Sequence, residues 1–180
     1  SSVGGAVAID FADPAGPVVE RVDYDFTRSG HVLCIVDTGS SHGDLTDDYA
    51  AITREMGAVA AYFGKTVLRE VPREQFRAAL PALRRECGDR AVLRAMHFYD
   101  EDRRAAEEAA ALGEGDFAGR FLKLANASGQ SSSLLLQNTW SVADPRQQAV
   151  PLALAVGAEL LDGTGAIRVH GGGFAGTIQA

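Results

Sequence analysis

Residues 167–180 read IRVHGGGFAGTIQA, and the reading of this stretch decides the fold. Gly171, Gly173 and Gly176 form a literal G-x-G-x-x-G behind a strand-like segment at 167–169. A dinucleotide fingerprint needs those glycines to open a helix inside a βαβ unit, with an acidic residue about 20 positions further on. The residues that follow, TIQA, are short and partly β-branched, which predicts strand, glycine loop, strand. In its plainest role such a loop is a turn between two buried strands, with glycine where the backbone needs positive φ or a close approach.

Working outward, residues 6–11 (AVAIDF) alternate and set Val7, Ile9 and Phe11 on one face. Residues 22–26 (VDYDF) repeat the pattern with Val22, Tyr24 and Phe26, so both segments are expected as half-buried strands. Val32 to Val36 are five apolar residues in succession, as expected of a strand covered on both faces near the middle of a sheet. The clearest helix carries Leu45, Tyr49, Ile52, Met56, Val59 and Phe63 at alternating steps of four and three, with Asp44 to cap its start and Gly64 its end. FGKT at 63–66 imitates the tail of a Walker A loop, but the earlier glycine such a loop needs is Val59, inside that helix. Pro72 begins a second helix that runs to Cys87, residues 89–112 form an alanine-rich third, and Asp116 to Ser128 a fourth. Residues 131–140 (SSSLLLQNTW) and 143–161 read as two further helical pieces, the second interrupted at Pro151. Strands, then helices, then strands predict an α+β fold with helices packed on one face of a mostly antiparallel sheet.

Composition narrows the function. The 180 residues suffice for one domain, and 46% hydrophobic with 23% charged residues exclude a disordered chain. No apolar run reaches the roughly 18 residues a membrane span needs, and residues 1–30 lack a basic-then-apolar leader, so a cytoplasmic setting is expected. A net charge of −7 argues against a phosphate-neutralising nucleic-acid surface. The arginines between Arg54 and Arg94 alternate with Glu55, Glu70, Glu74 and Glu86, the pattern of a solvated, ion-paired helical surface. His31, His42, His97 and His170 have no metal-ligand spacing, and Cys34 and Cys87 form no framework, so neither a metal nor a disulfide is expected.

Three stretches, taken together and in order, resemble the galactokinases of the GHMP sugar and small-molecule kinase superfamily, in particular their C-terminal half. VDTGSSHGDLTDDYAAI is similar to a family strand-loop-helix, with Asp37, His42, Asp48 and Tyr49 in the matching places. RAMHFYDEDRR matches the family's R-A-x-H with Arg94, His97, Glu101 and Arg104, and SGQSSSLLLQN resembles the next helix in a bacterial branch. GGGFAG resembles the third GHMP motif, in which Arg168 matches while Val169, His170 and Ala175 depart from the commonest residues.

The resemblance covers nearly all of residues 1–180 and implies one ferredoxin-like C-terminal domain. It implies a parent enzyme that transfers the γ-phosphate of ATP, with Mg²⁺, to the anomeric hydroxyl of galactose or a related sugar such as N-acetylgalactosamine or arabinose. The phosphate loop and the catalytic aspartate belong to an N-terminal half, and SSVGG at 1–5 looks like the sequence just after that aspartate. The resemblance therefore places no catalytic residue in this chain, and the fragment alone is expected to be inactive. It assigns Tyr49 to the sugar, against a competing role as a core tyrosine. It assigns Gly171, Gly172, Gly173, Phe174 and Gly176 to the nucleotide side, packed beneath the phosphate loop. His42 and His97 are expected as loop and helix-packing residues, and Asp37 and Asp48 as braces. A non-catalytic sugar sensor would share these motifs, and a stand-alone ferredoxin-like module is the other alternative. The expected partners are the sugar, the N-terminal half and, through an uncovered domain face, further copies of the chain.

Overall fold

A computed structural model of the chain describes residues 5–40 and 45–180. Asp44 and His42, expected as helix cap and loop residue, lie outside the described residues. The elements run β1 (Ala6–Asp10), β2 (Val18–Val22), β3 (Ile35–Asp37), α1 (Thr46–Tyr62), α2 (Arg73–Ala78), α3 (Leu80–Glu86) and α4 (Asp89–Gly113). They continue with α5 (Leu122–Ser131), α6 (Ala149–Leu161), β4 (Arg168–Val169) and β5 (Thr177–Gln179). Strands β1 and β2 form a two-stranded hairpin, and a separate three-stranded sheet has the order β3-β5-β4. All the described pairings are antiparallel, as the α+β reading requires, although the strands divide between two sheets.

Helices α1 and α4 carry the main core, in which Val59 and Leu83 are fully buried and Leu68, Val71, Phe76, Ala91, Val92 and Ala95 close around them. Helix α1 stops where Gly64 takes φ +69° and its N–H meets the Ala61 carbonyl. A second cluster packs α6 on the sheet through Val150, Val169 and Ile178. The cysteines are free thiols.

Several expectations are corrected. The segment from Pro72 to Cys87 is two helices, because Pro81 stands in the first turn of α3 and cannot donate a continuing hydrogen bond. Pro151 does not interrupt α6; it lies in the first turn, where a missing N–H costs nothing. The pieces expected at 116–128 and 131–140 are one run, in which π-type turns at Phe117–Phe121 and Ser132–Leu136 flank α5. Strand β2 ends at Val22, and Phe26 begins a short 3₁₀ turn. In β1 the inward residues are the alanines, while Val7 and Ile9 face out. The apolar run at 32–36 is not central. Its strand is the edge of the sheet, and Val32 and Leu33 are 80% and 73% exposed, because the described residues supply no covering layer.

Candidate functional site

The β4–β5 hairpin is closed by the His170 N–H on the Thr177 carbonyl at 3.0 Å. Its loop turns on positive φ angles at Gly171, Gly173, Phe174 and Gly176. Ala175, one of the departures from the commonest motif residues, is absent from that set; the left-handed residue with a side chain is Phe174, at φ 62°. Gly171 and Gly172 face solvent, while residues 173–176 are buried.

Tyr49, in the first turn of α1, lies across this loop. Its hydroxyl donates to the Gly173 carbonyl at 2.9 Å, and its ring meets the buried Phe174 ring edge-on, centroids 5.2 Å apart. A β-carbon on Gly172 would come within 2.8 Å of the tyrosine ring, so the fit demands glycine. Tyr49 stays 37% exposed. Its O–H is engaged by the loop carbonyl, and the oxygen keeps a lone pair that can accept from a ligand hydroxyl.

Behind the loop stands Asn138, which the sequence reading missed. Its main-chain carbonyl accepts the Phe174 N–H, and its Nδ2 donates to the Gly172 carbonyl at 3.1 Å. A β-carbon on Gly173 would collide with that same Asn138 carbonyl. The residue is 4% exposed, and its Oδ1 has no hydrogen-bond partner among the described residues, an omission that costs about 1–3 kcal/mol. Gln137 presents Asn138 to the loop by ending the helical run in the left-handed conformation.

A buried ion pair holds that helix end in place. Arg94 of α4, only 2% exposed, donates Nε to the Leu136 carbonyl at 3.1 Å and Nη1 to Glu55 of α1 at 2.9 Å. Arg90 grips the same carboxylate at 3.0 Å. Burial presses the Arg94 guanidinium below its usual pKa, and the Glu55 charge opposes that. The arrangement is a closed circuit: α1 to α4 through Glu55 and Arg94, α4 to Asn138 through Leu136, Asn138 to the loop, and the loop back to α1 through Tyr49. On the far side, Thr38 and Ser40 bind Gly176 through its carbonyl at 2.7 Å and its N–H at 3.0 Å. Asp37 braces this turn by accepting the Gly39 N–H at 2.9 Å, and Asp48 lies in the first turn of α1.

The other motif residues form a separate polar cluster between α4 and α5. His97 Nδ1 meets the Ser131 hydroxyl at 2.9 Å, Ser128 donates to Glu101 at 2.7 Å, and Glu101 pairs with Arg104. Burial first, and then Arg104, push His97 down to about 4, so it packs as a neutral ring. Burial raises the nearby Glu108. These residues serve helix packing and do not reach the loop. The described groups that meet the loop are a phenol, an amide, two hydroxyls and backbone, which can orient a ligand; among the described residues neither hydroxyl is hydrogen-bonded to a base that would activate it. Among the described residues no three His, Cys, Asp or Glu side chains are grouped to hold a metal.

No family model matches the chain. Galactokinase from Homo sapiens is 36% identical over 145 residues, 80% of this chain and 33% of that protein. Galactokinases from Mannheimia succiniciproducens and Streptomyces coelicolor are each 29% identical, over 82% and 93% of this chain and 36% and 40% of their own lengths. The chain thus spans roughly a third of the length of the curated relatives it matches. The crystal structure of Lactococcus lactis galactokinase complexed with galactose superposes with a TM-score of 0.65 at 22% identity, covering 98% of this chain and 43% of that one. This α+β architecture, with its glycine hairpin seated on the mouth of a long helix, has the fold of the matching part of that galactokinase structure. In sequence the chain is homologous to one part of the galactokinases.

Proposed function

We propose that residues 1–180 are the C-terminal domain of a longer sugar kinase that converts galactose and ATP to galactose 1-phosphate and ADP. The observation that carries this reading is the 2.9 Å hydrogen bond from Tyr49 to Gly173, residues 124 positions apart. It joins the residue matched to the sugar with the loop matched to the nucleotide. In this reading the exposed Gly171 and Gly172 form the floor on which a phosphate loop from the remainder of the protein rests. Gly173, Phe174 and Gly176 are the buried foundation of that floor. Tyr49 accepts a hydrogen bond from a sugar hydroxyl while its own O–H stays directed at the Gly173 carbonyl, which fixes the acceptor's direction. Phosphoryl transfer depends almost wholly on such positioning and on charge stabilisation. ATP brings Mg²⁺, which offsets phosphate charge, and its protein ligands and the catalytic carboxylate are assigned to the remainder of the protein.

Coupled ADP release tests the reading. The full-length protein with ATP, Mg²⁺ and galactose is expected to turn over, with N-acetylgalactosamine and arabinose as competing substrates, and residues 1–180 alone are expected to match the blank. Turnover by residues 1–180 alone would refute the division of labour. A full-length protein that binds galactose without turnover would make it a sensor.

A further inference from the structure

Asn138 engages the glycine loop at three consecutive residues. Its carbonyl accepts the Phe174 N–H, its Nδ2 donates to the Gly172 carbonyl at 3.1 Å, and Gly173 lies so close that no side chain fits between them. Two of these contacts use the main chain, but the bond to Gly172 belongs to the side chain alone. That carbonyl sits where the loop passes from exposed to buried. The amide is anchored from behind, since Arg94 holds the Leu136 carbonyl two residues earlier and is itself held by Glu55. With its Oδ1 unpartnered, the amide has no second hydrogen bond to explain its burial among the described residues.

We propose that Asn138 is a positioning residue for nucleotide: by tying down the Gly172 carbonyl it holds the exposed Gly171-Gly172 backbone in the shape that receives the phosphate-binding segment. The nucleotide clause rests on the sugar-kinase reading; the clamp on the loop does not.

The test uses Asn138→Asp in the full-length protein. This change keeps size and the main-chain carbonyl but turns the donor into an acceptor facing the Gly172 carbonyl. The KM for ATP is expected to rise about tenfold with a smaller change in kcat, and a purely structural role would instead lower kcat through lost active enzyme at unchanged KM. Amide hydrogen exchange at residues 172–174 is expected to accelerate by about the same factor. Unchanged exchange in a folded Asn138→Asp protein overturns the clamp, and faster exchange with unchanged KM overturns the nucleotide assignment. If the wild type shows no turnover, the kinase reading fails and exchange alone decides the clamp. Should Asn138→Asp not fold, Asn138→Ala is read in the same two assays, and no change in either overturns the proposal.

Discussion

Phe174 bears a left-handed backbone that residues with a β-carbon adopt only when their surroundings compel it. Here the compulsion is visible: its ring is buried against Tyr49 and its N–H is fixed to Asn138. Tyr49→Phe keeps the ring contact and loses the bond to Gly173, so it is expected to cost about 1 kcal/mol in urea unfolding. Gly173→Ala adds a β-carbon at φ +84° against the Asn138 carbonyl and is expected to cost about 2 kcal/mol or more in the same measurement. A Gly173→Ala protein as stable as wild type would show that the loop is looser than described. At this scale the sequence was partly legible. Tyr49 and the glycines stood out by motif and meet in space. Arg94 stood out by motif too, but its bond to Leu136 and the role of Asn138 did not, because those partners lie 34 to 42 residues away and no periodicity reports such contacts.

Elements are where local pattern and tertiary context part. Helix α1 was legible because its apolar steps of three and four face the core, and α4 because its run is alanine-rich. The prolines misled in opposite directions, Pro81 dividing a helix and Pro151 merely beginning one, since position within the first turn decides what a missing N–H costs. The run at 32–36 misled for another reason: an unbroken apolar strand signals that it wants covering, without saying what covers it. Between α1 and α4 the Glu55–Arg94 pair is the joint to test. Glu55→Ala strands a buried guanidinium, and thermal or urea unfolding is expected to report a loss of about 3–5 kcal/mol. A loss below about 1 kcal/mol would place the joint's strength in apolar packing instead.

For the whole molecule, acid is the informative stress. His97 titrates near 6.5 when unfolded and is pushed down to about 4 when folded, so the unfolded chain binds the extra proton between those values. Stability from this group is complete above pH 6.5, declines as pH falls toward 4, and in total amounts to about 3 kcal/mol. Arg104 and Arg168 oppose protonation and Asp100 and Ser131 favour it, while Glu108, raised by burial, contributes in the opposite sense as pH rises. Chemical unfolding at pH 4.5 and 7 measures the slope, and His97→Gln is expected to flatten it. The uncovered apolar residues give a second expectation. Val32, Leu33, Leu152 and Leu160 are 80%, 73%, 66% and 81% exposed, so sedimentation of residues 1–180 is expected to show concentration-dependent association that Val32→Lys with Leu33→Lys weakens. A monomer at every concentration would contradict it.

The central strand of the larger sheet is β5, which pairs Ile35 with Gln179 and Val169 with Ile178. During translation, therefore, β3 emerges well before β5 and waits for its neighbour while all the helices between them are made. The helices between them complete their local contacts meanwhile. A nascent chain interrupted before residue 177 would keep a helical body but lose the strand that β3 and β4 share, and with it the closed end of the glycine loop.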